Sequence, residues 1–310
     1  MKKNNLKGTA ILLIAALIWG LAFVAQSDAA DHIPPFSFNA LRSIIAAVML
    51  FALLFFRCRK SGQPIIPKDR KTRKIALLGG LGCGIFLAIS VNLQQAGLTV
   101  YPEGVAASAR AGFITALYVI IVPILSVVFG KKIPWAVWPA VAVALVGTYL
   151  LCLSGGISGI YLGDVLVFFC GISFSFQIML IDRYGEEIGG IRLSFIQFAV
   201  CAAVSLVLAL VFEPGGFAIE GVKNALFAIL YLGVMSSAVA YTLQIIGQRY
   251  AAPAVASLTM SLESVFAAIG GWIILSDVLS LREIAGCALV FAAIIIVQLP
   301  DLIPARKKEN

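Results

Sequence analysis

Long apolar stretches separated by short polar connectors run through the whole chain, at residues 8–27, 35–56, 75–98, 103–129, 134–153, 163–182, 192–212, 223–248, 253–275 and 281–299. Each reaches about the 20 residues that a helix needs to cross a hydrocarbon layer of roughly 30 Å. The stretches lack the period-two alternation of a barrel strand and are about twice its length. Only helices and closed barrels satisfy their backbone polar groups in lipid, so the pattern predicts an all-α membrane protein of ten transmembrane helices. Lys2, Lys3 and Lys7 precede the first stretch and small residues follow it from Ala25 to Ala30, as in a secretory leader. It is longer than a leader's apolar region and a matching segment recurs in mid-chain, so a retained helix is predicted.

Composition leaves little material outside the membrane. Of 310 residues, 61% are hydrophobic and 12% charged, against about 45–50% and about 25% in ordinary globular domains. A large soluble domain is excluded. The net charge of +8 has a topological explanation. With the N-terminus in the cytoplasm, nineteen Lys and Arg fall on the inner side, eight of them between Arg57 and Lys74, and only Lys223 and Arg282 fall on the outer side. This bias predicts a multi-pass protein of the cell (inner) membrane with both termini cytoplasmic. The basic loops then face an anionic leaflet, so lipid is an expected partner and nucleic acid is not; the loop from Arg57 to Lys74 reads as a solvated connector. Six cysteines stand singly and one histidine, His32, lies in a loop. Neither a disulfide framework nor a metal site is indicated, and no cofactor is expected.

The chain repeats itself. At an offset of 155, Gly8 falls on Gly163, Trp19 on Phe174, Phe23 on Ile178 and Arg42 on Gln197; at 150, Gln94 falls on Gln244, Gly97 on Gly247, Val105 on Val255 and Ala106 on Ala256. Residues 1–155 and 156–310 are therefore read as two copies of one five-helix unit. An odd number of helices per copy places the copies in opposite orientations, the arrangement from which alternating-access carriers are built, with the substrate site near the midplane.

Several segments carry a family likeness. Leu17-Ile18-Trp19-Gly20-Leu21-Ala22-Phe23-Val24 resembles the first-helix signature of EamA-type transporters of the drug/metabolite transporter superfamily, and Asn39-Ala40-Leu41-Arg42 is similar to their second-helix motif. Ala111 to Tyr118 followed by Pro123 resembles a fourth helix, and Ser261 to Ala268 with Gly286 to Leu289 resembles the ninth and tenth. The chain departs from the pattern at Ser264, where family members usually have proline, and at Gly130-Lys131-Lys132 and Ser276-Asp277. The resemblance covers nearly the whole chain. It implies a ten-helix carrier of small metabolites, often an exporter, with a pocket lined mainly by helices 1 to 4 and 6 to 9.

Ionisable groups inside a bilayer are costly and are candidates for function. At ~1.5 Å rise per residue, Arg42 lies about 10 Å and Arg110 about 12 Å below the outer ends of their helices, and Glu263 lies about 16 Å from the inner end of its own. Glu263 is a candidate to bind a cation, a substrate amine or a proton, or to pair with Arg110. Arg110 is a candidate anion ligand, and Arg42 is read as a gating or structural group. Asn92 and Gln95 share one helix face with Ala88, and Tyr241 shares another with Gln244 and Gln248; Asn92, Gln95, Tyr241 and Gln244 are candidate cavity groups. Trp19 and Tyr118 join the candidate substrate-binding set as stacking aromatics, although Trp19, Tyr118, Phe23 and Phe174 taken singly are as well explained by packing. Two small-residue stripes, Gly104, Ser108, Gly112 and Ala116, and Ser257, Ser261, Ser264, Ala268 and Gly271, are read as close helix contacts.

No HExxH, GxSxG or nucleotide-binding loop occurs, so an enzyme is not expected and transport must run on a gradient or exchange. The expected function is an alternating-access carrier, an exporter of small metabolites such as amino acids, with protons as candidate coupling ions. Cationic drug efflux is the alternative, and a channel or an intramembrane enzyme stands behind both.

Overall fold

The computed structural model describes residues 5–102, 105, 107–153, 159–274 and 280–302. Helices α1 (Asn5–Ala30), α2 (Pro35–Ser61) and α3 (Arg70–Thr99) are followed by α4, which runs in two segments, Ala107–Ala116 and Tyr118–Val128. Then come α5 (Val137–Cys152), α6 (Leu162–Ile188) and α7 (Gly190–Phe212). A short helix, Ile219–Asn224, leads into α8, built from Leu226–Tyr231, a π-helical stretch Leu232–Ala240 and Tyr241–Gln248. Two segments of α9, Pro253–Met260 and Glu263–Ile274, precede α10 (Leu281–Leu302). Among the described residues there is no strand, nine spans have the length and hydropathy to cross a membrane, and α5 is a shorter apolar helix. Lys2, Lys3, Gly104, Ser276, Asp277 and the basic C-terminal tail lie outside the described residues.

Local chemistry sets the helix ends. Pro35 opens α2, where its missing N–H costs nothing. Gly62 leaves the end of α2 at φ +67°, a conformation glycine adopts freely. Asp69 caps α3 by accepting from the Thr72 N–H at 2.7 Å, and that bond holds its carboxyl below the usual range. At the opposite end of the bundle Glu213 accepts from the Phe36 and Ser37 amides at 2.8 and 2.7 Å, so the end of α7 caps the start of α2.

The two five-helix copies pack as a pseudo-symmetric pair. α3 lies on α6 as α8 lies on α1, while α2 meets α7 and α5 meets α10 across the pseudo-axis. The four glycines that the repeat matches, Gly8 with Gly163 and Gly97 with Gly247, meet crosswise in space. A Cβ on Gly8 would stand 2.9 Å from the Gly247 carbonyl, and one on Gly163 would stand 2.8 Å from that of Gly97. Likewise Gly84 receives Val200 and Gly233 receives Ile45, with virtual contacts of 2.6 and 2.9 Å. Those last contacts locate an insertion. Gly84 and Gly233 differ by 149, whereas Gln94 and Gln244 differ by 150, so α8 holds one residue more than α3 between matching points. The π-helical stretch lies in that interval, and an extra residue within a helix is what a π-turn absorbs.

The small-residue stripes behave differently from expectation. A Cβ on Gly112 would have as its nearest neighbour the Cys152 sulfur at 4.0 Å, so α4 makes no close contact there. Ser257 and Ser261 hydrogen-bond back to the carbonyls of Ala254 and Leu258, at 3.0 and 2.7 Å, and act on their own helix. A tight crossing also lies on the periphery, where a Cβ on Gly286 would meet the Gly147 carbonyl at 2.6 Å and the Leu151 nitrogen at 2.7 Å. Gly286→Ala is therefore expected to destabilise the protein by about 1–3 kcal/mol through overpacking, whereas Gly112→Ala should change stability by less than about 0.5 kcal/mol. Thermal melts of the detergent-purified variants compare the two, and equal losses would contradict the packing assignment.

Candidate substrate site

A cleft with about 570 Å³ of unfilled space, counting its open mouth, lies between the copies, and Trp19, Arg42, Tyr118, Tyr241, Gln244 and Glu263 line it together. Its lining also takes Gln94 of α3 and Phe174 of α6, so the sequence-matched pairs Trp19 with Phe174 and Gln94 with Gln244 face one space. Among the described residues, α5, α7 and α10 contribute nothing to it. Along α1 the lining runs from Trp19 to Gln26. Toward the N-terminus, Leu12 and Ala16 are instead packed with Ile178, Val255, Leu258 and Leu262. The cleft thus extends away from the end that carries the basic loops.

Departures from regular helix surround this space. In α9, the hydroxyls of Ser257, Thr259 and Ser261 bond back to carbonyls three or four residues earlier, a habit that bends helices. The helix breaks after Met260 and resumes with Glu263. The carboxylate therefore stands at the positive end of a half-helix. Its Oε1 accepts from the Tyr118 hydroxyl at 3.2 Å, and Tyr118 opens the second segment of α4. In α8 the π-helical stretch presents the Ser236 carbonyl, which accepts from Trp19 Nε1 at 3.1 Å. The Trp19 ring then meets Tyr241 edge-on, 4.9 Å between centroids. On another face Gly20 lets α1 approach α9, since a Cβ there would stand 2.8 Å from the Glu263 carbonyl oxygen.

Arg42 is buried, with 4% of its surface exposed. Its Nε donates to Asn39 Oδ1 at 2.7 Å, and the Asn39 amide is held in turn by the Val91 carbonyl at 3.0 Å and by Asn92 Oδ1 at 3.2 Å. Among the described residues Arg42 has no acidic partner within 4 Å. Both charges of the cleft are therefore anchored by neutral neighbours, and they do not pair with each other.

Arg110 lies elsewhere. It forms a two-pronged pair with Asp164, Nη2 to Oδ2 at 2.6 Å and Nε to Oδ1 at 3.0 Å, and stacks over Tyr161 at 4.8 Å. Tyr101 donates to the same carboxylate at 2.9 Å, and burial together with that bond pushes its phenol up. The expected Arg110–Glu263 pair is not formed. The expectation placed the start of α4 at residue 103, whereas the helix begins at Ala107, so Arg110 sits in its first turn. Asn92 donates to the Ala88 carbonyl and to Ser205, both at 2.8 Å, and fastens α3 to α7. Gln95 is fully buried away from the cleft. The α3 group that lines the cleft is Gln94, donating to Thr115 at 3.3 Å, and the repeat signalled it by matching it to Gln244.

A family model described as the EamA-like transporter family matches the chain twice, over residues 6–153 and 161–299. An uncharacterized transporter of Archaeoglobus fulgidus is 31% identical over 289 residues, covering 93% of this chain and 84% of its own length. The uncharacterized inner membrane transporter YedA of Escherichia coli K12 is 24% identical over 294 residues, 94% of this chain and 90% of its own. A solved crystal structure with 20% identity superposes with a TM-score of 0.74 over 94% of this chain and 96% of that one, which shows the same fold.

The separation of Arg110 from Glu263 has an energetic consequence. Arg110→Gln and Asp164→Asn should be non-additive, with a coupling of about 1–3 kcal/mol, while Arg110→Gln and Glu263→Gln should add. Chemical or thermal unfolding of the singles and doubles measures both cycles, and coupling in the second would contradict the geometry.

Proposed function

Because the chain belongs to the EamA-like transporter family, we propose that it is a gradient-driven carrier that exports small zwitterionic metabolites, amino acids and their analogues, through this cleft. One observation carries the reading: a buried guanidinium and a buried carboxylate line one space without pairing. Unpaired charges in a low-dielectric site are costly. A ligand with its own carboxylate and ammonium supplies both counter-charges at once, the first to Arg42 and the second to Glu263. Trp19 and Tyr241 offer aromatic faces that add attraction for the ammonium end. Gln94 and Gln244, matched across the repeat, supply amide donors and acceptors. A cationic drug would satisfy Glu263 and leave Arg42 repelled, which favours the zwitterion over that alternative.

Glu263 also provides a means of coupling. A proton can neutralise it when no ammonium is present, so proton and substrate occupy the carboxylate in turn. The packed cluster around Leu12 and Leu258 closes the end nearer the basic loops, which supports a state open on the opposite side. With the termini in the cytoplasm, that side is the exterior. Alternating access then requires Gly8 and Gly247 to separate while the cleft's mouth closes.

Reconstituted vesicles test the proposal with a panel of radiolabelled amino acids, with and without an imposed pH gradient. Wild type should accumulate substrate when the gradient is present. Glu263→Gln should lose gradient-driven accumulation, and Arg42→Gln should lose uptake altogether. If Glu263→Gln accumulates substrate as wild type does, the carboxylate does not couple transport.

A further inference from the structure

A second cavity lies outside the transport cleft, between α2 and α8 at the end of the bundle that carries the basic loops. Its size is substantial, about 1240 Å³ of unfilled space counting its open side. The pseudo-symmetry explains why it exists. α3 and α7 stay closed along their length, through Gly80 with Ile196, Gly84 with Val200 and finally the Asn92–Ser205 hydrogen bond at 2.8 Å. The matching pair α2 and α8 begins the same way, with Ile45 on Gly233. Beyond that point α2 follows the Leu232–Ala240 stretch but has no comparable contact with Tyr241–Gln248. By the offsets of 150 and 155, Asn92 corresponds to Thr242 and Ser205 to Leu50. These two residues do not meet: both line the open crevice, and Thr242 donates to Ser194 of α7 at 2.8 Å instead.

The crevice has two chemically distinct parts. Its walls are apolar, including Leu53, which is 45% exposed inside a membrane-spanning helix, and Leu243. Its rim carries Arg57, near the end of α2, and Arg249, just past the end of α8. Neither arginine side chain has a hydrogen bond or ion pair among the described residues. Arg192 stands on the same rim but is engaged with the Ile65 and Pro64 carbonyls, at 3.1 Å each. Glu186 and Glu187 face the rim as well, and they too are unpaired among the described residues. An apolar slot between membrane helices with charges at its mouth matches a lipid, acyl chain inward and headgroup at the interface. The two carboxylates decide which lipid. They repel a headgroup of net negative charge and attract a cationic group next to the phosphate, and a primary ammonium, unlike a quaternary one, also has N–H donors for both carboxylates.

We propose that the α2/α8 crevice is a binding site for a glycerophospholipid whose headgroup joins a phosphate to a primary ammonium, the phosphate on Arg57 and Arg249 and the ammonium on Glu186 and Glu187. The chain therefore uses part of its basic loop as a ligand site, where the sequence suggested only a solvated connector. The site is independent of the transport cleft, because none of its rim residues lines that space.

Native mass spectrometry of the full chain, titrated with phosphatidylethanolamine, phosphatidylcholine and phosphatidylglycerol of identical acyl chains, tests this directly. Wild type should retain phosphatidylethanolamine about tenfold more tightly than either other lipid, and Arg57→Gln with Arg249→Gln should lose that affinity by a similar factor. Glu186→Gln with Glu187→Gln should abolish the preference over phosphatidylcholine while keeping lipid bound. All four positions are exposed, so folding should be preserved; Val239→Trp, which fills the crevice without altering a charge, should also displace the lipid. Equal retention of the three lipids by wild type, a preference for phosphatidylglycerol, or an unchanged preference in the double arginine variant would overturn the proposal.

Discussion

A carboxylate and a guanidinium held in one membrane-embedded space without touching each other are the constraint on which the rest of the structure depends. Left free, such a pair would collapse into a salt bridge, since attraction in a low-dielectric interior is strong. Here each charge is tethered by a neutral neighbour, Glu263 by Tyr118 at 3.2 Å and Arg42 by Asn39 at 2.7 Å. The tethers are fixed in turn by backbone irregularities. The α9 break places Glu263 at the head of a half-helix, the α4 interruption places Tyr118 opposite it, and Asn39 is braced on α3 by Val91 and Asn92. Regular helices throughout would not deliver these groups to one point.

Glycine contacts give that arrangement its frame. Gly8 on Gly247 and Gly97 on Gly163 bring backbones to within contact distance at matched places in the two copies. In lipid there is no hydrophobic force between helices, so close van der Waals approach carries much of the association. The same symmetry shows where the copies diverge. α3 and α7 remain shut while α2 and α8 part beyond Gly233, and the extra residue in the π-helical stretch lies at the point of divergence. The Ser236 carbonyl that accepts from Trp19 lies in the same stretch.

Much of this was legible in the amino-acid order, for identifiable reasons. Span lengths follow from the thickness of the hydrocarbon, so the helices appeared where the apolar runs lie. The repeat singled out Gly8, Gly97, Gly163 and Gly247, although each meets in space a glycine other than its sequence match. Glu263 was named from depth, Tyr241 and Gln244 from a shared helix face and Trp19 and Tyr118 as stacking aromatics, and they converge on one space. Depth failed for Arg110, because the start of α4 was placed several residues too early and because its partner Asp164, in the first turn of α6, was not among the candidates. Face assignment failed on α3, where Asn92 and Gln95 point into helix contacts and Gln94 points into the cleft. The repeat held the better signal, since it matched Gln94 to a residue already chosen. Arg42 was assigned a gating or structural role by its shallow position; its place in the cleft depends on the Asn39 tether, which no local pattern reveals.

The reading of the cleft rests on two opposite charges acting on one ligand, and calorimetric binding tests it most directly. The purified chain would be titrated with amino acids, with their carboxyl amides and with their N-acetyl derivatives. Loss of either charged end should weaken binding at least tenfold, about 1.4 kcal/mol, because one buried charge is then left without a partner. Binding of an amide or an N-acetyl derivative as tightly as its parent amino acid would contradict the account.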